Sequence, residues 1–121
     1  MRRPGKDRGQ AAVEYAGVIT LLLLVGLVAI QLGLVAYTAQ QAGTAARAAA
    51  RTAAMKDGDG RAVAAGTAAM SDWLADGADF DHGGCRGGDG EISVTVSVQV
   101  PRILPLFSFD PARRTVTMPC D

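Results

Sequence analysis

The fold of this chain is decided by residues 15–46, YAGVITLLLLVGLVAIQLGLVAYTAQQAGTAA, a run of 32 residues without a charged side chain. Its bulkiest apolar residues lie between Leu21 and Ile30. A helix needs about 20 predominantly apolar residues to cross the hydrocarbon core of a bilayer. We therefore expect this run to contain one membrane-spanning helix.

The distribution of charge predicts the direction of this span. The 121-residue chain has a net charge of zero, but residues 1–9 hold four basic residues and one acidic residue, whereas residues 55–121 hold six basic and ten acidic residues. Basic residues that flank a first span are retained in the cytoplasm. We expect a single-pass protein of the cell membrane with a cytoplasmic N-terminus and an extracytoplasmic C-terminus. The sequence contains no basic patch of the kind that would indicate nucleic-acid binding.

Helix-compatible sequence continues beyond the span, from about Gln10 to Met55, without a proline. Such a helix is roughly 65 to 70 Å long, about twice the hydrocarbon thickness, so its second half must project outward. Small residues recur along it at spacings of three, four or seven. They let helix backbones approach closely, which predicts packing against other helices. The alternative is that alanine is present simply as a good helix former. The stripe consists of Gly26, Ala29, Gly33, Ala36, Gly43, Ala46, Ala50 and Ala53.

The remainder of the chain, residues 56–121, is expected to form a small head. A short amphipathic helix begins near residue 59 and continues to about residue 74, with Trp73 expected to anchor it to a sheet. The alternative is that Trp73 contacts the membrane interface or a partner. Residues 77–90 are rich in glycine and aspartate and predict a polar loop.

An alternating pattern follows this loop. Residues 92–100 alternate Ile or Val with Ser, Thr or Gln, which predicts a strand with one buried face. Pro101 ends the pattern, and residues 114–118 can return as a second strand. The fold class is therefore α+β, with a long N-terminal hydrophobic helix, a short helix and a small β-hairpin or sheet head. The loop between the strands is expected to cover the sheet with Leu104, Leu106, Phe107 and Phe109.

Two cysteines, Cys85 and Cys120, lie in the part expected outside the membrane, where an oxidising compartment lets them pair. We expect a disulfide, which in the chain-entropy description stabilises a small domain with a loop of this length by roughly 3 to 4 kcal/mol. Two free thiols are the alternative.

The polar residues of the head do not form a pattern typical of catalysis. The glycine-rich residues 83–88 lack the GK[ST] ending of a phosphate loop. Oxygen ligands from the acidic residues 76–82 suit calcium, but their spacing is not that of an EF-hand, and a solvated acidic loop is favoured. His82 is the single histidine of the chain. We expect no enzyme activity, cofactor, metal or small-molecule substrate.

The residues before the apolar run carry a more specific signal. The sequence Arg8-Gly9-Gln10-Ala11-Ala12-Val13-Glu14-Tyr15 resembles the processing site of prepilins of the Flp and tight-adherence class. In that class a prepilin peptidase cleaves after the glycine, and glutamate and tyrosine are the fifth and sixth residues of the mature chain. Gly9, Gln10, Glu14 and Tyr15 occupy these positions. The alternative is a secretory signal cut near Ala46-Arg47-Ala48, although its apolar stretch is about twice the usual length.

The added head makes the chain similar to TadE-like pseudopilins, since major Flp pilins are little more than a helix. The resemblance implies a minor pilin-like subunit with three parts: a basic leader (1–9) that is removed, a transmembrane and assembly helix (10–55), and an extracytoplasmic head (56–121). It also implies partners: prepilin peptidase, other pilin or pseudopilin subunits, the membrane assembly platform and membrane lipid. The head would then be available for subunit contact or adhesion.

Glu14 lies at the edge of the span, where an unpaired carboxylate is costly. The resemblance implies that it pairs with the new α-amino group of Gln10 from a neighbouring subunit. The alternative is that Glu14 simply extends to the headgroups. A second hypothesis for the whole chain is an uncleaved, single-span membrane anchor with an extracytoplasmic binding module.

Overall fold

A computed structural model describes residues 4–55, 57–85, 90–104 and 108–120, with side chains described from Gly9 onward. The architecture is α+β, as the sequence predicts. Within these residues, three α-helices, one 3-10 turn and three strands follow one another. They are α1 (Pro4–Ala54), a 3-10 turn (Asp59–Arg61), α2 (Ala62–Ala68), α3 (Asp72–Ala75), β1 (Ala78–His82), β2 (Glu91–Val98) and β3 (Ala112–Pro119).

Helix α1 is continuous over 51 residues, a length of about 76 Å at 1.5 Å per residue. Pro4 occupies its first turn, where the missing N–H is tolerated. The helix passes through Gly9 without a break. It ends just before a turn in which Asp57 adopts a φ of 61°. Gly58 follows because a Cβ at this position would clash with the carbonyl oxygen of Thr52.

The head contains an antiparallel sheet with strand order β1-β2-β3. The central strand β2 follows the predicted alternation, with its apolar side chains buried. Its other face carries hydroxyl groups: Ser93 Oγ lies 2.8 Å from Thr117 Oγ1, and Thr95 Oγ1 lies 2.9 Å from Thr115 Oγ1. These cross-strand pairs hold the register of β2 against β3.

Strand β1 lies inside residues 77–90, where we expected only a polar loop, so that prediction is wrong. Phe80 pairs with Val96 of β2 and adds its half-buried ring to the core. Asp79 and Asp81 are exposed on the opposite face. The aspartates that indicated a loop are therefore the solvent-facing half of a two-residue alternation.

The core lies between this sheet and the outer part of α1, residues 42–54. Alanines along one side of the helix are buried against the inward side chains of β2, with α2 and α3 closing the flank. Because alanine has only a methyl group, the helix backbone can approach the sheet closely. The buried residues are Ala42, Ala45, Ala46, Ala49, Ala50, Ala53, Ala54, Ala62, Met70, Leu74, Ile92, Val94, Val96 and Val98.

The second helix predicted near residues 59–74 is divided. The 3-10 turn leads directly into α2, which ends at Ala68. Helix α3 begins at Asp72. Between them Ser71 has an extended conformation, and its N–H donates to Gln41 Oε1 of α1 at 2.9 Å. A side chain of the long helix thus holds the interruption in place.

The predicted disulfide between Cys85 and Cys120 is confirmed. The two Cα atoms are 5.9 Å apart, a usual separation for a disulfide. The Cys120 N–H also donates to the Gly90 carbonyl oxygen at 2.9 Å. The bond joins the segment after β1 to the end of β3, so it connects both edges of the sheet.

The contact between α2 and the core provides a test of close packing. A Cβ at Gly66 would overlap the Phe80 ring and lie 3.2 Å from the Ala45 carbonyl oxygen. Better helix propensity favours Gly66→Ala by up to ~1 kcal/mol, whereas overpacking costs typically 1–3 kcal/mol. We expect a net destabilisation of about 1 to 2 kcal/mol, measured by guanidinium unfolding of the detergent-solubilised chain followed by Trp73 fluorescence.

Gly43→Ala is the matched control, because a Cβ there makes only an ordinary 3.8 Å contact with the Arg114 side chain. It should leave stability unchanged or raise it by up to ~1 kcal/mol. Equal effects of the two substitutions would contradict the packing described for α2.

Candidate assembly and membrane site

The inner part of α1 extends away from the head. From Gly9 to Ile30 every side chain is exposed except that of Leu27, which is half-buried. Among the described residues this is the one helix long and apolar enough to cross a membrane, and only 6% of its most apolar window is buried. The apolar inner part of α1, residues 9–30, is therefore not packed in the core of the head.

The residues of the predicted processing and assembly site lie on this free part of α1. Gly9, Gln10, Glu14 and Tyr15 are all exposed. No described basic side chain lies within ion-pair distance of Glu14. Their roles in cleavage and assembly remain predictions.

The small-residue stripe is divided between two environments. Gly26, Ala29, Gly33 and Ala36 are exposed, and Gly43 is half-buried at the edge of the head. The outer members, Ala46, Ala50 and Ala53, are buried in the chain's own head. The prediction that the whole stripe faces other helices of neighbouring subunits is corrected for these three, because the head already covers them. The exposed members of the stripe lie between residues 26 and 36.

A glutamine that we did not single out from the sequence joins the helix to the head. Gln31 is only 1% exposed. Its Nε2 donates to the Pro101 carbonyl oxygen at 2.9 Å, and its Oε1 accepts from the Ile103 N–H at 2.8 Å. The signal was available, since Gln31 is the single amide side chain among the aliphatic residues 21–36. A polar residue in a membrane-spanning run usually has a specific partner.

The segment held by Gln31 lies against the helix. Leu104 and Phe109 line a cavity of about 240 Å³ together with Val28 and Leu32 of α1. Neither is among the side chains packed on the core of the sheet. The prediction that they cover the sheet is therefore wrong, while Leu106 and Phe107 lie outside the described residues.

A second junction with α1 involves Trp73. Its ring stacks on Tyr37 of the helix, with centroids 6.0 Å apart and ring planes at 6°. The Tyr37 hydroxyl oxygen lies 2.7 Å from Ser71 Oγ. Trp73 is 53% exposed, so the prediction that it anchors the second helix to the sheet is wrong. Trp73 instead packs α3 against α1.

The acidic residues near β1 are spread over different surfaces. Asp79 and Asp81 project from the outer face of the sheet, whereas His82 Nδ1 lies 3.0 Å from Asp59 Oδ1 without an aligned hydrogen bond. Across the described residues, no three His, Cys, Asp or Glu side chains form a group suited to a metal ion. Of the glycine-rich residues 83–88, those from 86 onward lie outside the described residues.

A wider cavity of about 530 Å³ lies between α1 and β3. Arg47 and Arg114 contribute charge, and Thr44, Thr115 and Gln40 contribute neutral polar groups. Among the described residues, this lining holds no carboxylate, histidine or thiol that could serve as a general base or an activated nucleophile.

The family model of TadE-like proteins matches residues 9–51. This segment is TadE-like. The match begins at Gly9, where the prepilin resemblance places cleavage, and the TadE-like segment ends at Arg51, inside the part of α1 that packs on the sheet. The family resemblance seen in the sequence is thus confirmed for the helix. No curated protein and no solved structure matches the chain.

Removing the amide of Gln31 should release the segment that it holds. In Gln31→Leu the Pro101 carbonyl and the Ile103 N–H lose their partner, and an unsatisfied buried polar group costs roughly 1 to 3 kcal/mol. We expect the Ile103 amide to exchange its hydrogen at least tenfold faster, measured by hydrogen exchange of the full chain with NMR detection. Gln40→Leu, at an exposed position of the same helix, is the control. An unchanged Ile103 exchange rate in Gln31→Leu would show that the two hydrogen bonds do not hold the segment.

Proposed function

We propose that this chain is a minor pilin-like subunit, a pseudopilin, of a tight-adherence type pilus or a related assembly complex. It is inserted with its N-terminus in the cytoplasm, cleaved after Gly9 and assembled through the inner part of α1. The observation that carries the proposal is a TadE-like helix, residues 9–51, whose inner part is exposed and whose outer part belongs to the head. A TadE-like segment suggests a pilus-related membrane protein, and such proteins are structural rather than catalytic.

The exposed small residues support assembly by helix packing. Gly26, Ala29, Gly33 and Ala36 are not covered by the head. Small residues at these spacings allow a second helix to approach closely and gain dispersion contacts that bulky side chains would block. The partners expected on this surface are other pilin or pseudopilin subunits, and before assembly the same surface contacts lipid.

The position of Glu14 supports a specific role in the assembled state. The carboxylate is exposed at the start of the apolar run and has no described basic partner within the chain. Cleavage after Gly9 would create an α-amino group on Gln10 of each subunit. A pair between this amine and the Glu14 of a neighbour would be charge-assisted and poorly screened within a fibre. It would fix how far one helix is displaced along the next.

Intact-mass measurement and N-terminal sequencing of the protein from membranes that contain a prepilin peptidase test the proposal. The recovered chain should begin at Gln10. Gly9→Leu should retain residues 1–9, whereas the matched control Gly17→Leu, at another exposed glycine of α1, should be cleaved normally. A wild-type chain that keeps residues 1–9 would contradict the proposal and favour an uncleaved membrane anchor with a binding head.

The same preparations test assembly. Glu14→Ala should be inserted and cleaved normally, but its recovery in the pilus or pilus complex should fall at least tenfold, because breaking an ion pair in a dry interface costs about 3 to 5 kcal/mol. Glu91→Ala, which removes an exposed carboxylate of the head, is the control. Equal recovery of Glu14→Ala and the wild type would mean that this carboxylate does not contribute to assembly.

A further inference from the structure

The free part of α1 is short for a complete membrane span. If Glu14 marks one boundary of the hydrocarbon layer, the 13 residues from Tyr15 to Leu27 precede Val28, which lines the cavity shared with the head. They cover about 20 Å at 1.5 Å per residue, whereas the hydrocarbon core is about 30 Å thick. The second boundary then lies near Leu34. The segment bonded to Gln31 is below that level, on the hydrocarbon side.

The surface at this level is apolar. Leu32 is 59% exposed and Ile103, in the segment held by Gln31, is 43% exposed. They adjoin the cavity formed by the helix and the segment. This surface, which we name the apolar collar, comprises Val28, Leu32, Ile103, Leu104 and Phe109.

The backbone of the collar is suited to a dry environment. Irregular backbone is tolerated at membrane depth only where its polar groups have protein partners. Gln31 supplies an acceptor for the Ile103 N–H and a donor for the Pro101 carbonyl, and Pro101 itself has no N–H. The head thus approaches the span with these two groups already satisfied.

The charge beside the collar also fits a membrane surface. Arg102 is exposed between Pro101 and Ile103. A long basic side chain next to buried apolar residues can extend its charged end to the phosphates of the headgroups. An exposed cation directly before an exposed apolar side chain suits an interface between hydrocarbon and headgroups.

We propose that the apolar collar inserts into the lipid leaflet on the head side of the membrane, so that the head rests in the bilayer surface. The occupant of this surface is lipid, because the collar continues the apolar surface of α1. Together they extend the apolar surface to the thickness of the hydrocarbon core, about 30 Å. The proposal requires that α1 spans a membrane, as in the proposed function, but it does not depend on cleavage or assembly.

Fluorescence quenching in vesicles tests the collar. The full chain with Trp73→Phe is reconstituted in vesicles of phosphatidylcholine and phosphatidylglycerol with brominated acyl chains. A single reporter is then introduced as Ile103→Trp, with Leu24→Trp as the reporter within the span and Glu91→Trp as the exposed reporter at the far end of β2. We expect Ile103→Trp to be quenched at least half as strongly as Leu24→Trp and at least threefold more than Glu91→Trp.

Three other outcomes are informative. Quenching of Leu24→Trp alone would overturn the collar while leaving the span intact. A blue-shifted but unquenched Ile103→Trp would also overturn it, since a second protein chain would then cover the surface. Absence of quenching at Leu24→Trp would refute the span itself and with it the proposed function. Phe109→Trp is a second collar reporter if Ile103→Trp fails to form the Cys85–Cys120 disulfide.

Discussion

The contact between the alanine side of α1 and the inward side chains of β2 is the constraint on which the rest of the head depends. A sheet of three strands has one apolar face that must be covered by another layer. Here that layer is the outer part of α1, whose buried alanines, among them Ala46 and Ala50, belong to one core cluster with Val94 and Val96. The short helices α2 and α3 complete this core. The head is therefore not a domain added after a helix, because the helix supplies half of its core.

The remaining interactions fix the two ends of this contact. At the end farther from the inner part of α1, the Cys85–Cys120 disulfide joins both edges of the sheet. At the other end Gln31 holds the segment after β2, and the Tyr37–Trp73 stack holds α3. The head consequently has a defined height and direction on the helix. The inner part of α1 continues into the head as one uninterrupted helix.

The sequence predicted the elements whose patterns are strong. The long uncharged run gives α1, and the alternation from Ile92 to Val98 gives β2. The cysteine pair was predicted from the compartment expected for the head. Strand β1 escaped prediction because its exposed positions are aspartates in a glycine-rich segment, and local composition outweighed a short alternation around Phe80.

Partners were harder to predict than elements. A row of alanines shows that something approaches closely, but it does not say whether the neighbour is another subunit or the chain's own sheet. Ala46 and Ala50 illustrate this limit, as do Trp73 and Phe109, which contact α1 and not the sheet. Gln31 is different, because a single amide among aliphatic residues is visible in the sequence. The TadE-like match, residues 9–51, covers both the free part of the helix and most of its alanine contact with the head.

Native-state hydrogen exchange of the full chain is the most direct test of the shared core. Most of the stability of a helix within a protein comes from tertiary packing, so the protection of Ala46–Ala53 should depend on packing against the head. We predict that the amides of Ala46–Ala53 and those of Val94 and Val96 lose protection together as guanidinium is added. Slow exchange in Ala46–Ala53 after the β2 amides have opened would contradict the account, because the helix would then be stable without the head.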